Sequence, residues 1–130
     1  SDHVQLVGEV EVPRFFNSLD VFVYAVQTTK GMIDIPPTIL ECLAAGCALV
    51  TSARGGIPEL VRDYENGFMV SEDGHDDPAA YARKLVGLME NRDLLSRVRD
   101  RARRSVEPYD VNRVAPQVMD VYEDVLGWKK

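Results

Sequence analysis

Two short runs dense in β-branched and aromatic residues, Asp20-Val21-Phe22-Val23-Tyr24 and Ala48-Leu49-Val50-Thr51, flank one segment that proline opens and glycine closes, Pro36 to Gly46. Nothing else in the chain narrows the fold as much. Proline suits the first helical turn, where no N–H is needed, and glycine suits the residue past a helix end, where left-handed backbone is common. A strand apolar on both faces belongs inside a parallel sheet. Strand, helix and strand in this order form a βαβ unit with a right-handed crossover.

The rest of the chain extends the pattern. Val4-Gln5-Leu6-Val7 reads as a first strand, closed by Gly8, and Glu11 to Asn17 as a helix with Pro13 in its first turn. Ala25 to Ile35 is a loop containing Gly31, and Arg54-Gly55-Gly56 is another. Ile57 to Val61 is a short helical turn, Asn66-Gly67 a tight turn, and Phe68-Met69-Val70 a fourth strand. Three helices follow. Asp77-Pro78 caps the first, with Ala82, Leu85, Val86 and Met89 as its apolar stripe. Asp93 caps the second, which runs to about Val106. Asp110 caps the third, with Val114, Val118, Val121, Tyr122 and Val125 on one side. The fold class expected is α/β: a Rossmann-like parallel sheet of about four strands with C-terminal helices. That is one half of a doubly wound sheet. The edge at Val4–Val7 would then lie open and invite copies of the chain to associate through it.

Composition sets outer bounds. The 130 residues suffice for one small domain, and 45% hydrophobic residues supply a core. The net charge of −6 disfavours nucleic acid as a partner. No apolar run reaches the roughly 18–20 residues of a membrane span. Ser1-Asp2-His3 has neither part of a signal peptide, and a serine start fits an excised segment. Cys42 and Cys47 have neither zinc nor CxxC spacing, so buried thiols of a cytoplasmic protein are expected. Between Arg92 and Arg104, six arginines and two aspartates give a local charge of +4. A solvated helix face is the favoured reading, and peripheral contact with an anionic membrane or partner is the second. His75 among Glu72, Asp73, Asp76 and Asp77 reads as a solvated cap loop; the spacing matches no EF-hand, and no metal site is expected.

Ligands of such sheets bind beyond the carboxyl ends of the strands. The loops 25–37 and 52–58 fall there, and the first leads into the helix bearing Glu41. A helix start offers free N–H groups and a positive dipole end, suited to phosphate. Glu41 admits two readings. Thr38-x-x-Glu41 fits a capping box with Thr38 as N-cap. A carboxylate also suits a vicinal diol, because both its oxygens only accept hydrogen bonds.

Residues 36–52, Pro-Pro-Thr-Ile-Leu-Glu-Cys-Leu-Ala-Ala-Gly-Cys-Ala-Leu-Val-Thr-Ser, resemble the signature of the group 1 glycosyl transferases (glycosyltransferase family 4). Arg54 to Val61 and Glu65 to Val70 continue the resemblance in order. Val7 to Val10 and Ser18 to Val23 match the strands before it, so the likeness covers nearly the whole chain. It implies a GT-B architecture, with an N-terminal acceptor domain and a C-terminal domain that holds a nucleotide-diphosphate sugar. It also implies transfer with retention at the anomeric carbon and no metal cofactor. Residues 1–130 would be the C-terminal portion of the donor domain. The acceptor domain and the start of the donor domain would be absent, and the segment alone inactive. Glu41 corresponds to the glutamate that binds the donor's ribose hydroxyls, and Gly55 and Gly56 to the glycine-rich loop lining the cleft. Asp20 corresponds to an acidic residue with a structural role at the start of a strand.

The family's other acidic residue, which contacts the transferred sugar, precedes Glu41 by eight positions. That position is Ile33 here, with Asp34 one step on. Either the loop presents Asp34 as the catalytic acid or the site is degenerate. Pro36 and Pro37 carry no N–H, so donor oxygens near them would rely on Asp34, Ile35, Thr38 and Ile39. The family's basic pair lies on earlier elements. Tyr109-Asp110 resembles the entry to the family's last helix, which would end near Trp128 and cross back to the acceptor domain. Two alternatives stand beside this reading: a non-catalytic binding or scaffolding module on the same fold, and an unrelated flavodoxin-like domain. The double-glycine loop and the helix of residues 38–46 fit the latter poorly.

Overall fold

The computed structural model describes residues 3–26, 28, 30–31, 33–70 and 77–127. Their order is α1 (Val12–Asn17), β1 (Val21–Tyr24), α2 (Pro37–Ala44), β2 (Ala48–Thr51), α3 (Ile57–Leu60), β3 (Phe68–Met69), α4 (Pro78–Glu90), α5 (Arg92–Ser105), a 3₁₀ turn (Glu107–Tyr109) and α6 (Val111–Leu126). The sheet has three parallel strands in the order β1-β2-β3, with Val21 opposite Ala48 and Val50 opposite Phe68. All four residues of β2 are buried.

Alternation along β2 divides the core. Leu49 points into one cluster, with Phe16 of α1, Ile39 and Leu43 of α2, and Ile57 and Leu60 of α3. Ala48 and Val50 point into the other, with Phe68, Tyr81 and Leu88 of α4, and Leu95 and Val98 of α5. The fold is therefore a three-layer α/β/α sandwich, as the two-sided apolar strands require. Helix α5 serves both clusters, because Ala102 and Val106 at its far end join the first.

Four expectations need correction. Residues 4–7 form no strand: Val4, Leu6 and Val7 are exposed, Leu6 at 95%. A four-residue run holds as a strand only against a neighbouring ladder, and β1 pairs with β2 alone among the described residues. The sheet edge proposed for self-association is thus not at Val4–Val7. In α4 the inward residues are Tyr81, Leu85 and Leu88, while Val86 and Met89 are exposed, Met89 at 70%. The helix is rotated so that the tyrosine ring, larger than the Ala82 methyl, fills the space beside Phe68. Asn91, not Asp93, caps α5, accepting from the Leu94 N–H at 3.0 Å. Thr38 does not cap α2; Pro36 holds that position, with no side-chain capping bond. Two successive prolines start the helix two positions earlier than the threonine would.

The caps at Asp77 and Asp110 form as expected, each accepting from the amide two residues on. The end of α2 is a Schellman turn. Gly46 has φ +68°, its N–H donates to Leu43 O at 2.9 Å, and the Cys47 N–H donates to Cys42 O at 3.1 Å. Apolar contact between the residues joined by the outer bond accompanies this motif. Here those residues are Cys42 and Cys47, both buried and unbridged. A side-chain hydrogen bond with Cys47, and then burial, push the Cys42 thiol above its ordinary value.

The arginine run also has a structural task. Arg99 Nε donates to Gly46 O at 2.8 Å and its Nη1 reaches Asp20 Oδ1 at 2.9 Å. Arg103 Nη2 donates to Ala45 O at 3.0 Å. Two guanidinium groups therefore sit on the carbonyl end of α2, where the dipole favours cations. This fits the structural role expected for Asp20.

Candidate functional site

The carboxyl ends of β1 and β2 open between two loops, and side chains tie these loops together. The Thr51 hydroxyl donates to Tyr24 O at 2.9 Å, and the Ser52 hydroxyl to Val26 O at 3.2 Å. Each polar side chain is buried and hydrogen-bonded, so the loop after β1 is held against the end of β2.

A second tie lies above them. The Gly56 N–H donates to Asp34 Oδ1 at 2.9 Å and to Asp34 O at 3.2 Å. A Cβ on Gly56 would lie 2.7 Å from Asp34 Oδ2 and 2.8 Å from Ile35 Cγ1. The missing side chain is what allows the approach. Gly55, at φ +53°, supplies the left-handed turn that brings Gly56 into place. Asp34, Ile35, Gly55 and Gly56 thus meet at one mouth. Ile33 is 68% exposed beside it.

Helix α2 begins at this mouth. Pro36 and Pro37 lack N–H groups, and the Ile39 N–H donates to Pro36 O at 3.0 Å. Ile39 is fully buried, which withdraws its amide from the donors expected to meet a ligand. Helix geometry leaves the Thr38 N–H over, and Thr38 is half-buried. Glu41 is exposed and not engaged in capping, so the capping-box reading fails. It lies on a ridge between two grooves. One, about 390 Å³, is formed with Val12, Pro13, Phe16 and Asn17. The other, about 370 Å³, is formed with Leu40, Arg103, Val106 and Tyr109. Neither groove is lined by residues 52–58. Glu41 therefore stands one helical turn from the mouth rather than in it.

Arg54 was read from sequence only as a loop residue. It is half-buried, with its Nε fully enclosed, on the loop that carries the two glycines. Its place between a buried strand and Gly-Gly is the signal that could have singled it out. His75 and Trp128 lie outside the described residues. Among the described residues no helix is long and apolar enough to cross a membrane.

A parallel α/β/α unit with pinned loops at its carboxyl end defines a Rossmann-like class. The chain belongs to the group 1 glycosyl transferases, whose family model matches residues 1–91. It is 31% identical over 126 residues to spore coat protein SA of Bacillus subtilis, covering 94% of this chain and 32% of that one. It is 35% identical over 117 residues to the D-inositol 3-phosphate glycosyltransferase of Streptomyces coelicolor, covering 89% and 24%. Among solved structures, Anabaena HepE in complex with UDP-glucose superposes with a TM-score of 0.78 at 17% identity, covering 89% of this chain and 30% of that one. The C-terminal domain of the group 1 family protein LpcC from Francisella tularensis gives 0.64 at 24% identity, covering 79% and 50%. At these identities the two structures speak for the fold alone. The chain spans about a third or less of the length of these curated relatives.

Proposed function

We propose that these 130 residues are the C-terminal portion of the donor-binding domain of a retaining glycosyltransferase, which moves a sugar from a nucleotide diphosphate to an acceptor. The observation that carries the proposal is Glu41, an exposed carboxylate on the helix that opens at the clasped mouth and free of any capping role. In this reading Glu41 accepts hydrogen bonds from the ribose diol. The diphosphate lies one turn nearer the mouth, about 5 Å along the helix axis, on the Thr38 N–H and hydroxyl and the Ile35 amide. The order puts the carboxylate on the hydroxyls and away from the phosphates, as like charges require. The apolar groove of Val12, Pro13 and Phe16 beside Glu41 suits the base.

Lys30 and Arg54 are the cations of the two loops, and they stand in for a metal in balancing the leaving diphosphate. Gly55 and Gly56 line the cleft, with no side chain to fill it. Asp34 takes the place of the acid missing at position 33: Gly56 holds one carboxylate oxygen, and the other is left for the transferred sugar. A longer parent completes the acceptor side, and the 130 residues alone do not turn over a donor. The experiment is calorimetry of nucleotide sugars, UDP-glucose first, with the parent protein. Glu41→Ala should weaken binding by roughly 1–3 kcal/mol, the scale of a hydrogen bond to a charged group, without unfolding the protein. Unchanged affinity removes the ribose assignment.

The exposed Ile33 supports a second reading, a binding or scaffolding module with a degenerate donor site. Release of nucleotide by the parent separates the two. Turnover that Asp34→Ala abolishes supports the catalytic reading; binding without turnover supports the module.

A further inference from the structure

Among the described residues, Tyr64 is the one residue other than glycine with positive φ, at +60°. Glycine takes that backbone freely, and a bulky side chain resists it. The turn is nevertheless closed, with the Tyr64 N–H donating to Gly67 O at 2.9 Å. The ring is held as well. It meets the Phe68 ring edge to face with centroids 5.5 Å apart, and Lys84 Nζ stands 4.3 Å from its centroid and 3.1 Å from its hydroxyl. Even so, Tyr64 is 52% exposed. Backbone strain of this kind gathers at ligand sites, where a side chain is kept for what it contacts.

Tyr64 borders a groove of about 730 Å³. Asp63 and Glu65 stand on the turn side of this groove, and Arg101 and Arg104 on the α5 side. Among the described residues no ion pair joins the two sides. The carboxylates instead pair with Lys84 and Arg62, each at 3.8 Å. One bank therefore only accepts hydrogen bonds and the other only donates them. An anion would face the carboxylates, and a cation would face the guanidinium groups. A hydroxyl both gives and accepts, so a row of hydroxyls matches both banks at once. The C–H face of a sugar ring suits the exposed part of the tyrosine, an aromatic body with a polar tip.

We propose that this groove is a binding site for a neutral oligosaccharide, with Tyr64 as its aromatic contact. It lies at the amino end of β3, across the sheet from the donor mouth. A doubly wound sheet continues beyond β1 and not beyond β3, so the rest of a longer donor domain adds at the other edge. The site anchors a glycan away from the donor, and it stands whether or not Glu41 meets a ribose.

Titration of the nitrogen-15-labelled chain with maltotriose, mannotriose and galactotriose, followed by amide chemical shifts, tests this. At least one should bind in the millimolar range, with shifts centred on residues 63–66 and 101–105. Inorganic phosphate should leave these amides unmoved. Tyr64→Gly should raise the dissociation constant by more than about tenfold. Its urea midpoint should fall little, because glycine takes the left-handed backbone without strain. Glu65→Gln and Arg101→Gln should each weaken binding several-fold, and Arg101→Gln, away from the turn, decides the matter should Tyr64→Gly fail to fold. The proposal is overturned by sugars that leave the groove amides unmoved, by phosphate shifts in their place, or by sugar binding that survives both Tyr64→Gly and Arg101→Gln.

Discussion

Replacing Gly56 with alanine perturbs the clasp at the mouth with little else changed. Gly56 has φ −78° and ψ 0°, which alanine adopts readily, so backbone strain contributes little. The cost comes from the added Cβ, 2.7 Å from Asp34 Oδ2 and 2.8 Å from Ile35 Cγ1. The carboxylate must turn aside and the isoleucine must shift. Overpacking of this kind costs about 1–3 kcal/mol, and the hydrogen bond to an exposed carboxylate adds about 1 kcal/mol. Alanine also restricts the unfolded chain, which offsets about 0.4–1 kcal/mol. The net loss expected is about 1–3.5 kcal/mol, or roughly 4–13 °C in melting temperature for a domain of this size. Asp34→Ala should cost about 1 kcal/mol, because the Gly56 N–H keeps the Asp34 carbonyl at 3.2 Å. With the carboxylate gone, one of the two obstacles to the Cβ is gone as well. Urea melts of the two single variants and the double variant should therefore show a coupling of at least about 0.5 kcal/mol. Strict additivity, or a Gly56→Ala variant as stable as the parent chain, refutes the clasp.

Gly46→Ala should lose about 1–2 kcal/mol in a urea melt, because the residue holds φ +68° and its Cβ would meet the Arg103 guanidinium at 3.0 Å. Arg99→Ala should also destabilise, by about 1–3 kcal/mol, since it removes the donors to Gly46 O and Asp20; Arg97→Ala, on the exposed face, should change little. Neither cysteine should react with an aromatic disulfide reagent until the chain unfolds, because both are buried; fast labelling of the native chain contradicts the apolar pairing described for the Schellman turn.

The readable parts of this fold were those set locally. β1, β2, the proline-opened α2 and the turn at Gly46 each follow from a few adjacent residues. The segment 4–7 misled because pairing depends on a neighbour that local composition does not report. α4 misled because Ala82 and Tyr81 both suit an inward face, and the depth of the space beside Phe68 decided between them. Glu41 was legible as a residue of the proline-opened helix, but its distance from the mouth was not. The bond from Gly56 to Asp34 was not, since it joins residues 22 apart through loop geometry. Nor was the hold of Arg99 on Gly46, across 53 residues; a run of arginines looks the same whether it faces water or a helix end.

That hold bears on where the unit can be divided. The family match closes at residue 91, one position before α5 begins. A protein trimmed at that boundary would retain each strand and the glutamate, yet lose Leu95 and Val98 from beneath the sheet and both guanidinium groups from behind α2. Helix α2 would then be moored at its front alone. The stretch past the recognisable motif is ballast for the part that carries it, and swaps between relatives should carry α5 along with the sheet.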